Sequence, residues 1–372
     1  MLWMLGVLCL LSQPEPARIA PPLRETDEQR LMRRLAELPT QRAALGSRAE
    51  RAGLRKTEDH LLADLRARGL SPRTEEFGWT SPALTRAVGR SNEEEKASGG
   101  PGDEPVPTEF RNVILDFPGT AAGSPREVLV VAAHFDAVPG SPGADDNGTG
   151  VVSLLELADV LASRRVRRDV RLIFFNLEEV GLIGSREYVK AHREAWSPKD
   201  KATPPAERIV GMISLEMLGY YSDEPNSQRS PIPKVGDKPI VDFEVPTTGD
   251  FIGLAGISKF RSLSGGLADA MRRAEPGLRV VVADFLPIAP PDFLRSDHAP
   301  FLSAGIPAVM LTDTANFRNP HYHTPGDKAE TLDPERWARV TRAMIAGVIE
   351  LADAKPPDTE EEKPDAGPGG AR

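Results

Sequence analysis

A histidine and an aspartate, His134 and Asp136, close the apolar run VVAAHFD. Two more aspartates, Asp145 and Asp146, follow in the turn-rich GADDNGTG just ahead of an apolar helical pattern. Glu178 and Glu179 stand together in FFNLEEVGLIGS, Glu216 ends MISLEM, and His323 lies in NPHYHTPGD. Histidine nitrogens and carboxylate oxygens are what zinc accepts where no thiolate is offered. Cys9 is the sole cysteine, so a thiolate site and an internal disulfide are both ruled out. Two divalent ions about 3.5–4 Å apart can share a carboxylate and hold a water between them. Each residue alone also has a plainer reading. Asp146-Asn147-Gly148 could be a turn and helix cap, Glu178 and Glu179 a solvated helix start, and His134 a hydrogen-bonded structural histidine.

The elements that carry these residues decide between the readings. FRNVILDFP, EVLVVAAHFD, DVRLIFFNLEE, RIVGMISLEM and IPAVMLTD read as strands. Continuous apolar runs such as VLVVAA and RLIFF suit strands buried on both faces, as in a parallel sheet covered by helices. VVSLLELADVLAS, RSLSGGLADAMRRA and PERWARVTRAMIAGVIELADA are the helices between and after them, preceded by helices over 28–38 and 57–68, the latter stopping at Gly69. The fold class is therefore α/β: a mixed, mostly parallel central sheet sandwiched by helices, in a single domain over 23–354. The acids and His134 then fall at carboxyl ends of strands, where open α/β sheets bind ligands. Charges gathered at the edge of a dry core are costly unless paired or bound to a cation. Their joint occurrence, in order and always at a strand's end, favours a metal site over the plainer readings.

The rest of the chain bounds the function more loosely. It has 372 residues, 40% of them hydrophobic and 27% charged, with a formal net charge of −9 that argues against a nucleic-acid partner. Residues 1–22 read as a signal-like leader and linker. MLWMLGVLCLLS is too short to span a bilayer, and it points to export, periplasmic or secreted. The stretch at about 89–108, with Glu93, Glu94 and Glu95, lacks an apolar period and reads as a disordered insertion, and 355–372 as a disordered tail. Residues 220–249 read as a lid-like binding loop. The oligomeric state is not set by the sequence.

HFDAV, GADDNGTG, NLEEVGLIGS and YHTPGD together resemble the M28 family of di-zinc peptidases, in the family's order and over roughly 30–352. The resemblance implies two zinc ions per chain, held by His134, Asp146, Glu179, Glu216 and His323, with Asp146 bridging and Asp145 a neighbour. It implies Glu178 as the general base, Asp136 as the aspartate that orients a ligating histidine, and Tyr322 as an oxyanion stabiliser. The implied substrate is a peptide with a free N-terminus, from which N-terminal residues are hydrolysed. One departure stands out: the family's third strand commonly ends in Asp, where this chain has Glu216, one methylene longer. His298 in RSDHAPF either lines the pocket or is structural. His321 is set apart from His323 because i, i+2 residues point opposite ways, and His60 and His192 read as surface residues. The alternatives are a single-zinc glutaminyl-cyclase-like enzyme, a carboxypeptidase or dipeptidase using Arg295 to hold a carboxylate, and a non-catalytic binding domain on the same fold.

Overall fold

The computed structural model describes residues 27–200, 202–230, 234–235, 238–239, 246–285 and 291–354. The leader and the tail lie outside the described residues. The first half of the chain forms α1 (Glu28–Glu37), α2 (Arg48–Ala67), β1 (Arg73–Gly78), α3 (Pro82–Ala97), β2 (Glu109–Phe117), β3 (Arg126–His134), α4 (Gly150–Ser163) and β4 (Asp169–Phe175). The second half forms α5 (Ile183–Trp196), β5 (Glu207–Glu216), β6 (Ile252–Ile257), α6 (Arg261–Ala274), β7 (Val280–Phe285), α7 (His298–Ser303), β8 (Ala308–Thr312) and α8 (Pro334–Asp353).

Eight strands make one sheet in the order β1-β2-β4-β3-β5-β8-β6-β7. The four in the middle, β4, β3, β5 and β8, are mutually parallel, while β2 and β6 run against their inner neighbours. The apolar runs explain why these four are central. In β3, Leu129, Val131 and Ala133 join a core with Leu31 of α1, Leu61 of α2, Leu154 of α4, Leu267 of α6 and Trp337 of α8. Val128, Val130 and Ala132 point the other way, onto Tyr188 and Val189 of α5 and Phe301 of α7. Alternate side chains of one strand thus bury into two separate layers, so both parities of the run must be apolar. The parallel directions bring the carboxyl ends of these strands to one rim.

The sequence reading of this frame needs several corrections. The helix expected from 57 begins at Arg48, set by a capping box in which Ser47 accepts from Glu50 N and Glu50 accepts from Ser47 N. The expected insertion at 89–108 is half helix, since α3 runs through Ala97. Ser81 caps it, Pro82 opens it, and Leu84, Ala87, Val88 and Ser91 are its buried side. Its apolar face ends there, so the acidic last turns carry no period to read. β1, β6, β7, α5 and α7 also go unread. β1 (RTEEFG) pairs with β2 at the sheet's edge and has one buried residue, too few for an alternation to be visible.

Residues 98–108 have no regular structure but are tied down. Glu104, 8% exposed, accepts from Arg51 Nε at 3.0 Å and from its Nη2, while its backbone N donates to Asn92 Oδ1 at 3.0 Å. Glu104→Ala would leave the Arg51 cation buried without its carboxylate. The expected loss is about 3–5 kcal/mol of unfolding free energy in a denaturant titration, far above the change expected at a solvated loop.

Candidate metal centre

Asp146 sits in an irregular turn between β3 and α4. Gly143 enters it at φ +64°, and Asp146 and Asn147 hold non-helical angles joined by a cis peptide. Asn147, rather than Asp146, anchors the start of α4: its Oδ1 accepts from Gly150 N at 3.2 Å and from Met217 N at 3.1 Å, and its Nδ2 donates to Leu215 O at 2.7 Å. That leaves the Asp146 carboxylate, 3% exposed, aimed at the rim. Its Oδ1 lies 3.3 Å from His134 Nε2, and its Oδ2 lies 3.1 Å from His323 Nε2.

The other acids complete two half-circles around it. His134 Nε2 is also 3.3 Å from Glu216 Oε1, and His323 Nε2 is 3.1 Å from Glu179 Oε2. His134, Asp146 and Glu179 each place a donor atom within 4.8 Å of the others, and so do His134, Glu178 and Glu216. Glu178 and Glu179 are no solvated helix start: α5 begins at Ile183, and Glu178 is 7% exposed. Asp146 Oδ2 and Glu179 Oε1 are buried oxygens without a hydrogen-bond partner. Four ligands about 2.0 Å from a tetrahedral ion lie about 3.3 Å from one another. The 3.1–3.3 Å spacings match a metal shell as well as hydrogen bonds, and the unpartnered oxygens tip the balance toward a metal shell.

Electrostatics agree. Burial raises the Glu178 carboxyl well above the carboxylate range, with His134 opposing and Glu216, Glu179 and Asp297 adding to it. Burial also pushes Glu179 up to about 8, with Asp146 adding to it and His323 opposing. So much negative charge in a dry rim calls for a cation. Backbone conformation is forced here as well: Leu177, Met217 and His323 all have positive φ although none is glycine. Such residues cluster at functional sites, where the surroundings hold them.

Asp136 also holds the two glutamates. Its Oδ1 and Oδ2 accept from Glu178 N at 3.0 Å and Glu179 N at 3.1 Å, fixing the two glutamates. His134 Nδ1 faces the main-chain oxygen of Asp136 at 3.1 Å, with the carboxylate farther away at 3.6 Å. The carbonyl is thus the nearer partner that sets the His134 tautomer. Glu216 meets the rim despite its extra methylene because Ser296 Oγ, itself 2.9 Å from Ser214 Oγ, donates to Glu216 Oε2 at 2.6 Å.

Asp327 was not singled out in the sequence analysis. Asp327 accepts from Asp145 N at 2.9 Å and Asp146 N at 3.1 Å. Asp145 is fully buried and ties Gly219 N and Asn319 Nδ2 to the turn. His298 is structural: it is 1% exposed, with Nε2 2.8 Å from Phe293 O, and burial lowers its pKa to about 4. His321 sets its ring against Tyr220. His60 and His192 are half-buried rather than on the surface. His192 packs between Tyr188 and Trp196, its Nε2 2.8 Å from Glu75, because α5 lays that face against β1.

A cavity of about 360 Å³ opens on the rim. Asp146, Glu178, Glu179, Glu216, Tyr322 and His323 line its polar end, and Phe251, Leu254, Ala255, Val281, Phe293 and Met310 its apolar wall. Gln228 and Pro246, from the segment read as a lid, also line it. The described parts of that segment run back to back, with Ser222 N on Gly249 O and Gln228 N on Thr247 O.

Carboxylates and histidines converge at the carboxyl rim of the sheet's parallel centre, beside a cavity, as a candidate metal centre. The peptidase family M28 model matches residues 112–240 and 268–348, and the chain belongs to that family. It is 33% identical over 249 residues to the uncharacterized protein YfbL of Escherichia coli, covering 63% of this chain and 69% of that one. It is 30% identical over 233 residues to the aminopeptidase YwaD of Bacillus subtilis, covering 60% of this chain but 41% of that one, less than half its length. Among solved structures, an aminopeptidase from Aneurinibacillus sp. superposes with a TM-score of 0.59 at 17% identity, over 89% of this chain and 95% of that one. A glutaminyl cyclase from Fimbriiglobus ruber superposes at 0.56 and 15% identity, over 87% and 95%. These likenesses bear out the expected sheet and its helical layers. No helix among the described residues is long and apolar enough to cross a membrane.

Proposed function

We propose that this chain is a zinc-dependent aminopeptidase that holds two zinc ions and removes N-terminal residues from peptides. The observation that carries this reading is the Asp146 carboxylate, whose two oxygens face two different histidines. In it, His134 and Glu216 would hold one ion and Glu179 and His323 the other, with Asp146 facing both histidines. Bound there, zinc would supply Lewis acidity toward the scissile carbonyl and would lower the pKa of a bound water.

The chain's own residues do the rest. Glu178, pinned through its backbone by Asp136, takes the proton from the water and returns it to the leaving amine. Tyr322 stacks on His323 with ring centroids 3.7 Å apart, and its Oη accepts from Arg295 Nη2 at 2.6 Å. Arginine cannot accept a hydrogen bond, so the phenol keeps its own O–H to donate to the developing oxyanion. Tyr322→Phe is therefore expected to lower kcat by roughly 10²-fold with KM little changed, in steady-state assays.

Arg295 also engages Asp292 and Asn316, which leaves it poorly placed to capture a substrate carboxylate and weighs against the carboxypeptidase reading. The acidic end of the cavity suits an α-ammonium group, and its apolar wall suits an uncharged N-terminal side chain. The experiment is hydrolysis by the zinc-loaded chain of matched peptides with a free N-terminus, an acetylated N-terminus, and an N-terminal glutamine. Cleavage of the free peptide alone supports the reading. Cyclised glutamine without hydrolysis replaces it with the cyclase, and no turnover despite zinc uptake with the binding domain. Export is part of the same proposal, supported by the apolar stretch MLWMLGVLCLLS and checked by cell fractionation.

A further inference from the structure

Arg42 lies between α1 and α2, ahead of the part of the chain that the family model matches, and is 2% exposed. Its guanidinium is spent on main-chain carbonyls. Nε donates to Phe135 O at 2.8 Å, Nη1 to Pro39 O at 2.9 Å and Pro142 O at 2.8 Å, and Nη2 to Gly143 O. Its own carbonyl accepts from Ala137 N at 3.0 Å. Residues 135–145 are the whole connection between His134 and Asp146. Arg42 therefore grips that connection beside His134, again at Ala137, and again just before the turn that presents Asp146.

All four side-chain acceptors are neutral. A buried guanidinium without a directly bonded carboxylate is costly, and here the acids acting on its charge are Asp327, Asp146, Asp136 and Glu179, all at or behind the rim. Gly143 is part of the fit: a Cβ there would stand 2.7 Å from Arg42 Nη2 and 2.6 Å from Asp146 O.

We propose that Arg42 is a positioning residue for the metal centre, whose fork fixes the spacing between His134 and Asp146. This rests on the two-zinc reading above. A lysine would keep three donors but lose the planar fork that reaches several carbonyls at once, and a glutamine would lose reach and donors as well.

The test is competition for zinc between a chromophoric chelator and the full chain, comparing wild type, Arg42→Lys and Arg42→Gln below their unfolding temperatures. Arg42→Gln should bind both ions about 10–100-fold more weakly, the usual cost of losing a residue that supports metal ligands, with Arg42→Lys in between. A purely architectural arginine would lower the unfolding temperature and leave the zinc affinity of the folded protein unmoved. That result overturns the inference, and it overturns it alone if wild type holds two ions. Wild type taking up no zinc overturns both this and the two-zinc reading. If Arg42→Gln does not fold, wild-type affinity in Arg42→Lys is the contradicting result. Failure of both variants to fold would assign Arg42 to the general architecture, and the inference falls.

Discussion

Glu178→Gln is expected to lower kcat by about 10²–10⁴-fold, the range a positioned general base contributes, while the protein still takes up two zinc ions. The pairing of the two measurements matters because Glu178 stands as close to His134 and Glu216 as a ligand would. Glutamine keeps the size of the side chain and its acceptor oxygen but cannot carry a proton away. A base loses turnover and keeps the metals; a ligand loses both. Parallel steady-state kinetics and elemental analysis of the purified variant separate the two roles.

The second large effect is at Asp146. Asp146→Asn should strip both ions rather than one, because a single carboxylate faces both histidines and an amide offers one oxygen in place of two. The two histidines outweigh burial and hold this carboxyl below its ordinary range, so it is ionised and ready to ligate at neutral pH. With the ions gone, the several kcal/mol of charge stabilisation they supply is lost, and kcat/KM should fall by roughly 10³-fold or more. Zinc content read together with kcat/KM checks it. Loss of one ion would mean that Asp146 serves one metal alone.

Much of this site was legible because strand ends are legible. The runs leading to His134, Glu178 and Glu216 are apolar but for Asn176 and Ser214 in the last two, which marks strands buried on two faces, and parallel order puts their ends together. The glutamate at 216 could be read as a candidate ligand, though not the Ser296 hydroxyl that steers it. Contacts that run through main-chain atoms left no trace. Asp327 stands inside the quoted YHTPGD, yet its partners are the backbone N–H groups of Asp145 and Asp146. Arg42 binds carbonyls, to which every residue type contributes alike. Asp136 was picked out for its carboxylate, which pins the glutamates, while its carbonyl faces His134. In the fold, α3 was hidden because its apolar stripe fills its first turns and stops, and β1 because an edge strand with one buried residue has no alternation to show.

In the proposed reading, the acids and histidines at the rim form one two-metal centre around Asp146. The most direct measurement is anomalous diffraction at the zinc edge from crystals of the zinc-loaded chain. Two peaks are expected about 3.5–4 Å apart, one beside His134 and Glu216, the other beside Glu179 and His323, with Asp146 between them. A single peak, or a second one away from Asp146, would contradict it.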